Sequence, residues 1–270
     1  MINVSKEEKR SKASPKNFNA EPLKKECFST IVDESCVPDI ISHNTLLEID
    51  KKEKRILKWD NFYTKKNPWN YVDGYRDRMR IEIIMDYIKW SNSKNVLDIG
   101  CGEGSLTLAA SEFVQQISAF DLSKNAIEYA KNDRSRGNID YFQKDATDFV
   151  HSDKDYDLIL CTEILYYLDN EERITLIQEI RKSLSSNGYF LLSSRVDGRD
   201  YKDLDLDRHM ELLSKEFRII SVITVWTTKW SHKQIRRICK YLHLNHSYKA
   251  FVRSVNPQDA FMCLFICIPL

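Results

Sequence analysis

The chain has 270 residues, 42% of them hydrophobic, with 41 basic against 40 acidic side chains for a formal charge of +1. That size and apolar share fill one sizeable core, and the balance of charge makes any local excess of one sign stand out. No apolar run reaches membrane-spanning length and the first ten residues lack the apolar stretch of a leader; the seven cysteines form no Cys-x-x-Cys pair. These features exclude a transmembrane or disulfide-scaffold protein and lead us to expect reduced thiols and a cytoplasmic location.

Residues 1–55 are polar and Lys-rich at first, with Pro15, Pro22 and Pro38. We expect a partly disordered N-terminal extension ahead of a single domain over 56–270. Trp59, Phe62, Tyr63, Trp69, Tyr71 and Tyr75 then crowd a short stretch. They either fill a core or form a lid over 56–90. An amphipathic helix from about Arg76 to Trp90 follows, presenting Met79, Ile83, Ile84 and Ile88 to a sheet.

Asn95-Val-Leu-Asp-Ile-Gly-Cys-Gly-Glu-Gly104 carries the most information. A short apolar strand, with Asp98 on it, runs into a turn with Gly100, Gly102 and Gly104. Such a turn bares its backbone so that a flat ligand can approach where a Cβ would collide. The dinucleotide fingerprint is not met, because Ser105 and Thr107 stand where its third glycine belongs. A helix is expected over Ser105 to Val114.

Gln116 to Leu122 reads as a second strand, and Asp121 falls about twenty residues after the first glycine, where a ribose needs an acceptor. Ser123 caps a helix with Ala126, Ile127, Tyr129 and Ala130 on its apolar face, stopped by Gly137. A third strand from Ile139 ends at Asp145, and a buried fourth, Tyr156 onward, ends at Glu163. A fifth runs from Gly188 to Arg195, a helix spans about Leu204 to Lys215, and a sixth strand covers Phe217 to Thr227. Strands alternating with helices predict an open, mostly parallel α/β sheet with its ligand outside the carboxyl ends of the strands.

These motifs resemble the class I S-adenosylmethionine-dependent methyltransferases over about residues 75–195: Val96 to Gly104, Ala119 to Ala130, Gln143-Lys-Asp-Ala146, Tyr156 to Glu163, and Asn187 to Leu192. Thr162-Glu-Ile-Leu-Tyr-Tyr-Leu168, with Asn67-Pro-Trp and Tyr75-Arg-Asp-Arg78, looks like the nodulation-type N-methyltransferases of amino sugars. The resemblance implies a Rossmann-like sheet of seven strands with helices on both faces, its last strand, Phe261 to Pro269, antiparallel. It implies S-adenosyl-L-methionine as cofactor. Asp98 and the three glycines would line its methionine side, Asp121 with Leu122 its ribose, and Asp145 with Ala146 its adenine, with Cys161, Trp69 and Tyr75 close by. Read from the residues alone, Asp145 equally suits a helix cap, and Asp98 a tie for the loop's own amides.

Glu163, at the end of the central strand, is the best-placed proton acceptor, with Tyr166 and Tyr167 positioning the substrate; His151 and His209 are runners-up. No metal is expected, since His243 and His246 have no neighbouring acid or cysteine. From Phe217 to Gln258 the chain has eight basic residues and no acid. The basic insertion over 228–250, with Arg236 and Arg237, therefore points to an anionic acceptor: a polar saccharide or amino sugar, or, as the alternative, RNA. Against RNA, the fourth strand does not end in the Asn/Asp-Pro-Pro-Tyr/Phe of base-amine methylation, and Tyr166-Tyr167 stands where RNA-end enzymes carry a metal-binding Glu-His. A bland solvated basic face remains open.

Overall fold

The computed structural model describes residues 43–69, 75–151, 155–196, 204–227, 234 and 260–270. In chain order these give α1 (His43–Phe62), α2 (Tyr75–Ser91), β1 (Asn95–Ile99), α3 (Ser105–Ala110), β2 (Gln116–Asp121), α4 (Lys124–Asp133), β3 (Ile139–Gln143), β4 (Tyr156–Thr162), α5 (Asn170–Ser183), β5 (Leu184–Arg195), α6 (Leu206–Ser214), β6 (Phe217–Thr227) and β7 (Ala260–Pro269). Residues 49–270 make one compact unit; of the other, residues 1–48, only the first residues of α1 are described.

The seven strands form one sheet in the order β3-β2-β1-β4-β5-β7-β6. The first five in that order pair in parallel, and β7 runs antiparallel to both β5 and β6. This is the doubly wound sheet with an antiparallel last strand that the sequence predicts. Its central strands are apolar on both sides, as a sheet covered on two faces requires. Leu97, Ile99, Ile159 and Cys161 face the layer of α5 and α6. Val96, Leu158 and Leu160 face the layer of α2, α3 and α4, where Ile83, Ile84 and Ile88 pack. Alternate residues of β1 and β4 thus feed two cores.

The local differences from expectation lie at element ends. Helix α3 stops at Ala110, where the Ser111 amide bonds the Thr107 carbonyl and the chain bends toward β2. Strand β5 starts at Leu184, four residues early, because α5 passes directly into it and the β4 pairing absorbs the slack in an irregularity between Tyr156 and Leu158. Helix α1 runs unbroken across positions 55 and 56, between the expected extension and the expected domain.

Candidate active site

The parallel strands deliver their carboxyl ends to one edge, and the site is built there. At the end of β1 the amides of Gly100 and Cys101 both donate to the Phe120 carbonyl, at 2.8 and 2.9 Å, bending the chain out of the sheet. Gly100 (φ 73°), Gly102 (φ 54°) and Gly104 (φ 77°) follow in left-handed backbone. A Cβ on Gly100 would lie 2.4 Å from Cγ2 of Ile164, and one on Gly102 2.8 Å from the Tyr63 hydroxyl. Both positions therefore exclude a side chain on conformation and on space.

Three acids stand around this turn. Asp98 is buried and accepts from Thr107 Oγ1 at 2.6 Å; its Oδ1 is buried without a partner. Burial pushes its carboxyl up to about 6 against the pull of Thr107. Asp121 accepts from the Gly102 amide on Oδ2 and the Ser123 amide on Oδ1, each at 2.9 Å. Burial raises it also to about 6, with those two amides pulling down and Asp60 and Asp145 pushing up. Asp145 accepts from the Thr147 amide at 2.9 Å as the cap of a 3-10 turn over Ala146–Asp148, while its Oδ2 is buried and unmatched. Asp145 caps a turn, as one reading of the sequence expects, while Asp98 bonds the Thr107 hydroxyl of α3 and the loop amide of Gly102 goes to Asp121 instead; Asp98 and Asp145 each have one oxygen without a hydrogen-bond partner. A carboxylate oxygen accepts more than one hydrogen bond, so these acids fit a ligand with an ammonium, vicinal hydroxyls and an exocyclic amine.

Helix α1 covers this edge through polar contacts. The Asp60 carboxylate accepts from Ser123 Oγ at 2.7 Å, and Asn125 Nδ2 donates to the Asp60 carbonyl at 2.9 Å. Arg55 pairs with Asp145, Nη1 to Oδ1 at 3.5 Å, and with Glu172. Beyond α1, the Asn67 amide donates to Glu103 of the glycine turn at 2.7 Å, and Trp69 Nε1 donates to the Tyr63 hydroxyl at 3.0 Å. Trp59, Phe62, Tyr63 and Trp69 form one aromatic cluster, joined by Tyr167 at 4.8 Å from Trp59. The aromatic stretch is thus packed together and fastened to the glycine turn. Tyr75 begins α2, and its side chain lies outside the described residues.

At the end of β4, Glu163 has φ 62°, a left-handed conformation that costs a non-glycine residue about 1 kcal/mol or more and recurs at functional sites. Its amide continues the ladder to the Ser193 carbonyl at 2.9 Å. Its carboxylate accepts from Ser193 Oγ at 2.5 Å and from the Tyr166 hydroxyl at 3.1 Å, and Arg80 Nη1 stands 4.0 Å away. Three elements, β5, the turn over Leu165–Tyr167 and α2, thereby converge on one carboxylate. Arg173, buried on α5, donates to the Leu165 carbonyl at 3.1 Å and steadies the turn that carries both tyrosines.

The structure brings Tyr166 onto Glu163, and the Tyr167 ring centroid lies 4.5 Å from that of Tyr166. Leu122 borders the β2 end, its carbonyl accepting from Gln143. The Cys161 side chain, expected near the cofactor, is sealed in the core on the α5 and α6 side of the sheet. His209 is buried with Nδ1 on the Asp205 carbonyl and Nε2 on Ser194 Oγ, and burial lowers it to about 4, so it is a core residue and no base. His151 bonds Ser183 and Glu179. Arg236, Arg237 and the basic insertion lie outside the described residues. Among those residues no group of His, Cys, Asp and Glu could hold a metal.

Reading the sequence missed Arg80, Ser193, Arg55 and Asp60. Arg80 breaks the apolar stripe of α2 one turn before Ile83 and Ile84, and Ser193 interrupts the apolar run Phe190-Leu-Leu. Both are polar residues at core positions, which was the available signal.

Residues 96–188 match the family described as Methyltransferase domain. Nodulation protein S of Azorhizobium caulinodans is 30% identical over 131 residues, 48% of this chain and 63% of the relative. A ubiquinone biosynthesis O-methyltransferase of Actinobacillus pleuropneumoniae is 26% identical over 155 residues, 54% of this chain and 63% of the relative. The chain thus spans just under two thirds of the length of these relatives. Among solved structures, N-methyltransferase NodS from Bradyrhizobium japonicum in complex with S-adenosyl-L-homocysteine shares the fold with TM-score 0.61 at 18% identity, over 79% of this chain and 97% of that one.

Proposed function

We propose that this chain, which carries a class I S-adenosylmethionine-dependent methyltransferase domain, transfers a methyl group to a nitrogen or oxygen of a polar, anionic saccharide or amino-sugar acceptor in the cytoplasm. The cofactor, when bound, supplies a sulfonium methyl that is displaced in line, the new N–C or O–C bond forming as the S–C bond breaks. Asp98, the glycine turn, Asp121 and Asp145 would hold it. The protein's remaining task is alignment, where effective-molarity gains reach roughly 7–11 kcal/mol, and removal of one proton from the acceptor.

The observation that carries this reading is Glu163, held in strained backbone by Ser193, Tyr166 and Arg80 at the edge where the glycine turn emerges. Its carboxylate can orient an acceptor's amine or hydroxyl and accept the proton it loses. Support for an anionic acceptor comes from charge and topology. Strand β6 runs parallel to β1, since both its partner β7 and that strand's other neighbour β5 fix the direction, so Thr227 ends at the site's edge. The acid-free stretch continues from there. The relatives carry names as different as nodulation protein S, ubiquinone biosynthesis O-methyltransferase and malonyl-[acyl-carrier protein] O-methyltransferase, so the acceptor is chosen here on charge.

A screen for labelled methyl transfer to phosphorylated and nucleotide sugars, beside generic RNA, tests the proposal. Transfer to an anionic sugar, lost in Glu163→Gln with S-adenosylhomocysteine affinity retained, is the expected result. Tight RNA binding whose logarithm falls steeply with log salt, about −0.7 per phosphate on a single strand, would favour RNA instead.

A further inference from the structure

Two buried polar atoms beside the third strand's end have no hydrogen-bond partner: Nη1 of Arg55 and Oδ2 of Asp145. They belong to one ion pair, yet their alignment leaves one donor and one acceptor unmatched. Nη2 of Arg55 is taken by Glu172 and Oδ1 of Asp145 by the Thr147 amide. Buried unmatched donors and acceptors are costly and rare, and a donor next to an acceptor is the pattern that a planar heterocycle's edge would satisfy.

We propose that Arg55 of α1 is a cofactor-binding residue, forming with Asp145 a donor and acceptor couple that reads the edge of the cofactor's adenine. Asp145 Oδ2 accepts from the 6-amino group, and Arg55 Nη1 donates to the ring nitrogen N1. This rests on Asp145 meeting the adenine. Arg55 is not needed merely to fasten α1. Lys51 and Lys52 already bind Asp169, Glu172 and Asp148 at the surface, with side chains 38% and 42% exposed, whereas that of Arg55 is 13% exposed and reaches beneath them. Its fork suits two jobs at once, because one terminal nitrogen holds Glu172 while the other is left for a ligand. The chain thereby draws one wall of its purine pocket from a helix more than thirty residues ahead of the glycine turn.

Calorimetry with S-adenosylhomocysteine and S-inosylhomocysteine tests this without any acceptor substrate. The inosyl compound carries a carbonyl in place of the 6-amino group and a proton on N1, so both edge atoms are reversed. The wild-type chain is expected to prefer the adenosyl compound by at least about a hundredfold. Arg55→Ala should weaken adenosyl binding by about tenfold and narrow the preference by a similar factor, because one of two mismatches disappears. Arg55→Gln, which keeps a planar N–H donor, should retain more of the preference than Arg55→Ala. Asp145→Asn should narrow it as well. If Arg55→Ala weakens both compounds equally while Asp145→Asn narrows the preference, Arg55 only props the helix and the proposal fails. If Asp145→Asn also leaves the preference unchanged, the placement of adenine at Asp145 fails with it.

Discussion

Strand β4 and helix α1 show two ways of holding a chain. From Leu158 to Cys161 every side chain of β4 is buried and apolar, flanked by parallel neighbours on both sides. Helix α1 turns Lys51, Lys52, Arg55 and Asp60 toward the same molecule and meets Asp169, Glu172, Asp148, Asp145 and Ser123. The first arrangement gains from removing apolar area from water and is indifferent to salt. The second depends on charges that exchange one set of polar partners for another, and exposed pairs of this kind contribute little each. The sheet thus presents the edge that carries the glycine turn and Glu163, and a helix held by ion pairs along most of its length and by Trp59, Phe62 and Tyr63 at its end covers it.

The largest expected effect lies on the sheet side. Phe265 of β7 is fully buried and stacks on His209, ring centroids 5.4 Å apart. Phe265→Ala should cost about 3–5 kcal/mol in chemical denaturation. The loss should be equal in dilute buffer and in high salt. A loss that changes with salt would mean that the apolar half is not the independent platform described.

An intermediate effect is expected where the two regions meet. Burial raises Asp98 and Asp121 to about 6, and Asp60 of α1 adds to the rise at Asp121. A raised carboxyl favours the folded, unliganded protein when protonated, so this contribution is present at low pH and fades as pH climbs through 6. Ligand binding carries the opposite sign, because ribose hydroxyls and an ammonium donate to ionised carboxylates. S-adenosylhomocysteine should bind at full strength above about pH 6.5 and lose roughly tenfold in affinity per protonated acid by pH 5. Asp121→Ala should remove most of the affinity and flatten that profile. Calorimetry over pH 5–8 reads both, and a flat wild-type profile would break the assignment of these acids to the cofactor.

What was legible in the sequence follows the same division. Periodicity reports apolar burial, so the strands emerged with their ends nearly right, and the glycines and acids at the strand ends emerged from spacing. Glu163, Tyr166, Asp98, Asp121 and Asp145 all reach one edge of the sheet. Read from the sequence, α1 divides between a polar extension up to 55 and an aromatic stretch from 56, because Asp50-Lys-Lys-Glu-Lys-Arg55 breaks the apolar stripe. Its first part is held by charge, and the matching acids lie 90 or more positions further along the chain, from Asp145 to Glu172. No local pattern announces such a pairing. Glu163's left-handed backbone was likewise invisible, since Glu carries no conformational signature of the kind glycine does.

The smallest effect concerns that helix. Lys52 bonds Asp148 at 2.5 Å across an exposed surface, so Lys52→Ala should cost only about 0.2–1 kcal/mol and become silent in 0.5 M salt. Global denaturation is a poor detector of so small a change. Hydrogen exchange of the backbone amides reports it locally, because segments of a protein open with their own free energies. Amides of residues 51–62 should exchange several-fold faster in Lys52→Ala than in wild type at low salt. Raising the salt should bring wild type up to the variant's rate, while β4 amides hold their protection throughout. Bound S-adenosylhomocysteine should slow exchange in α1 in both proteins, since the helix covers the edge proposed for the cofactor. Equal slowing of β4 and α1 by the ligand, or acceleration of both by salt, would show that helix and sheet open together and that the contrast between them is one of composition alone.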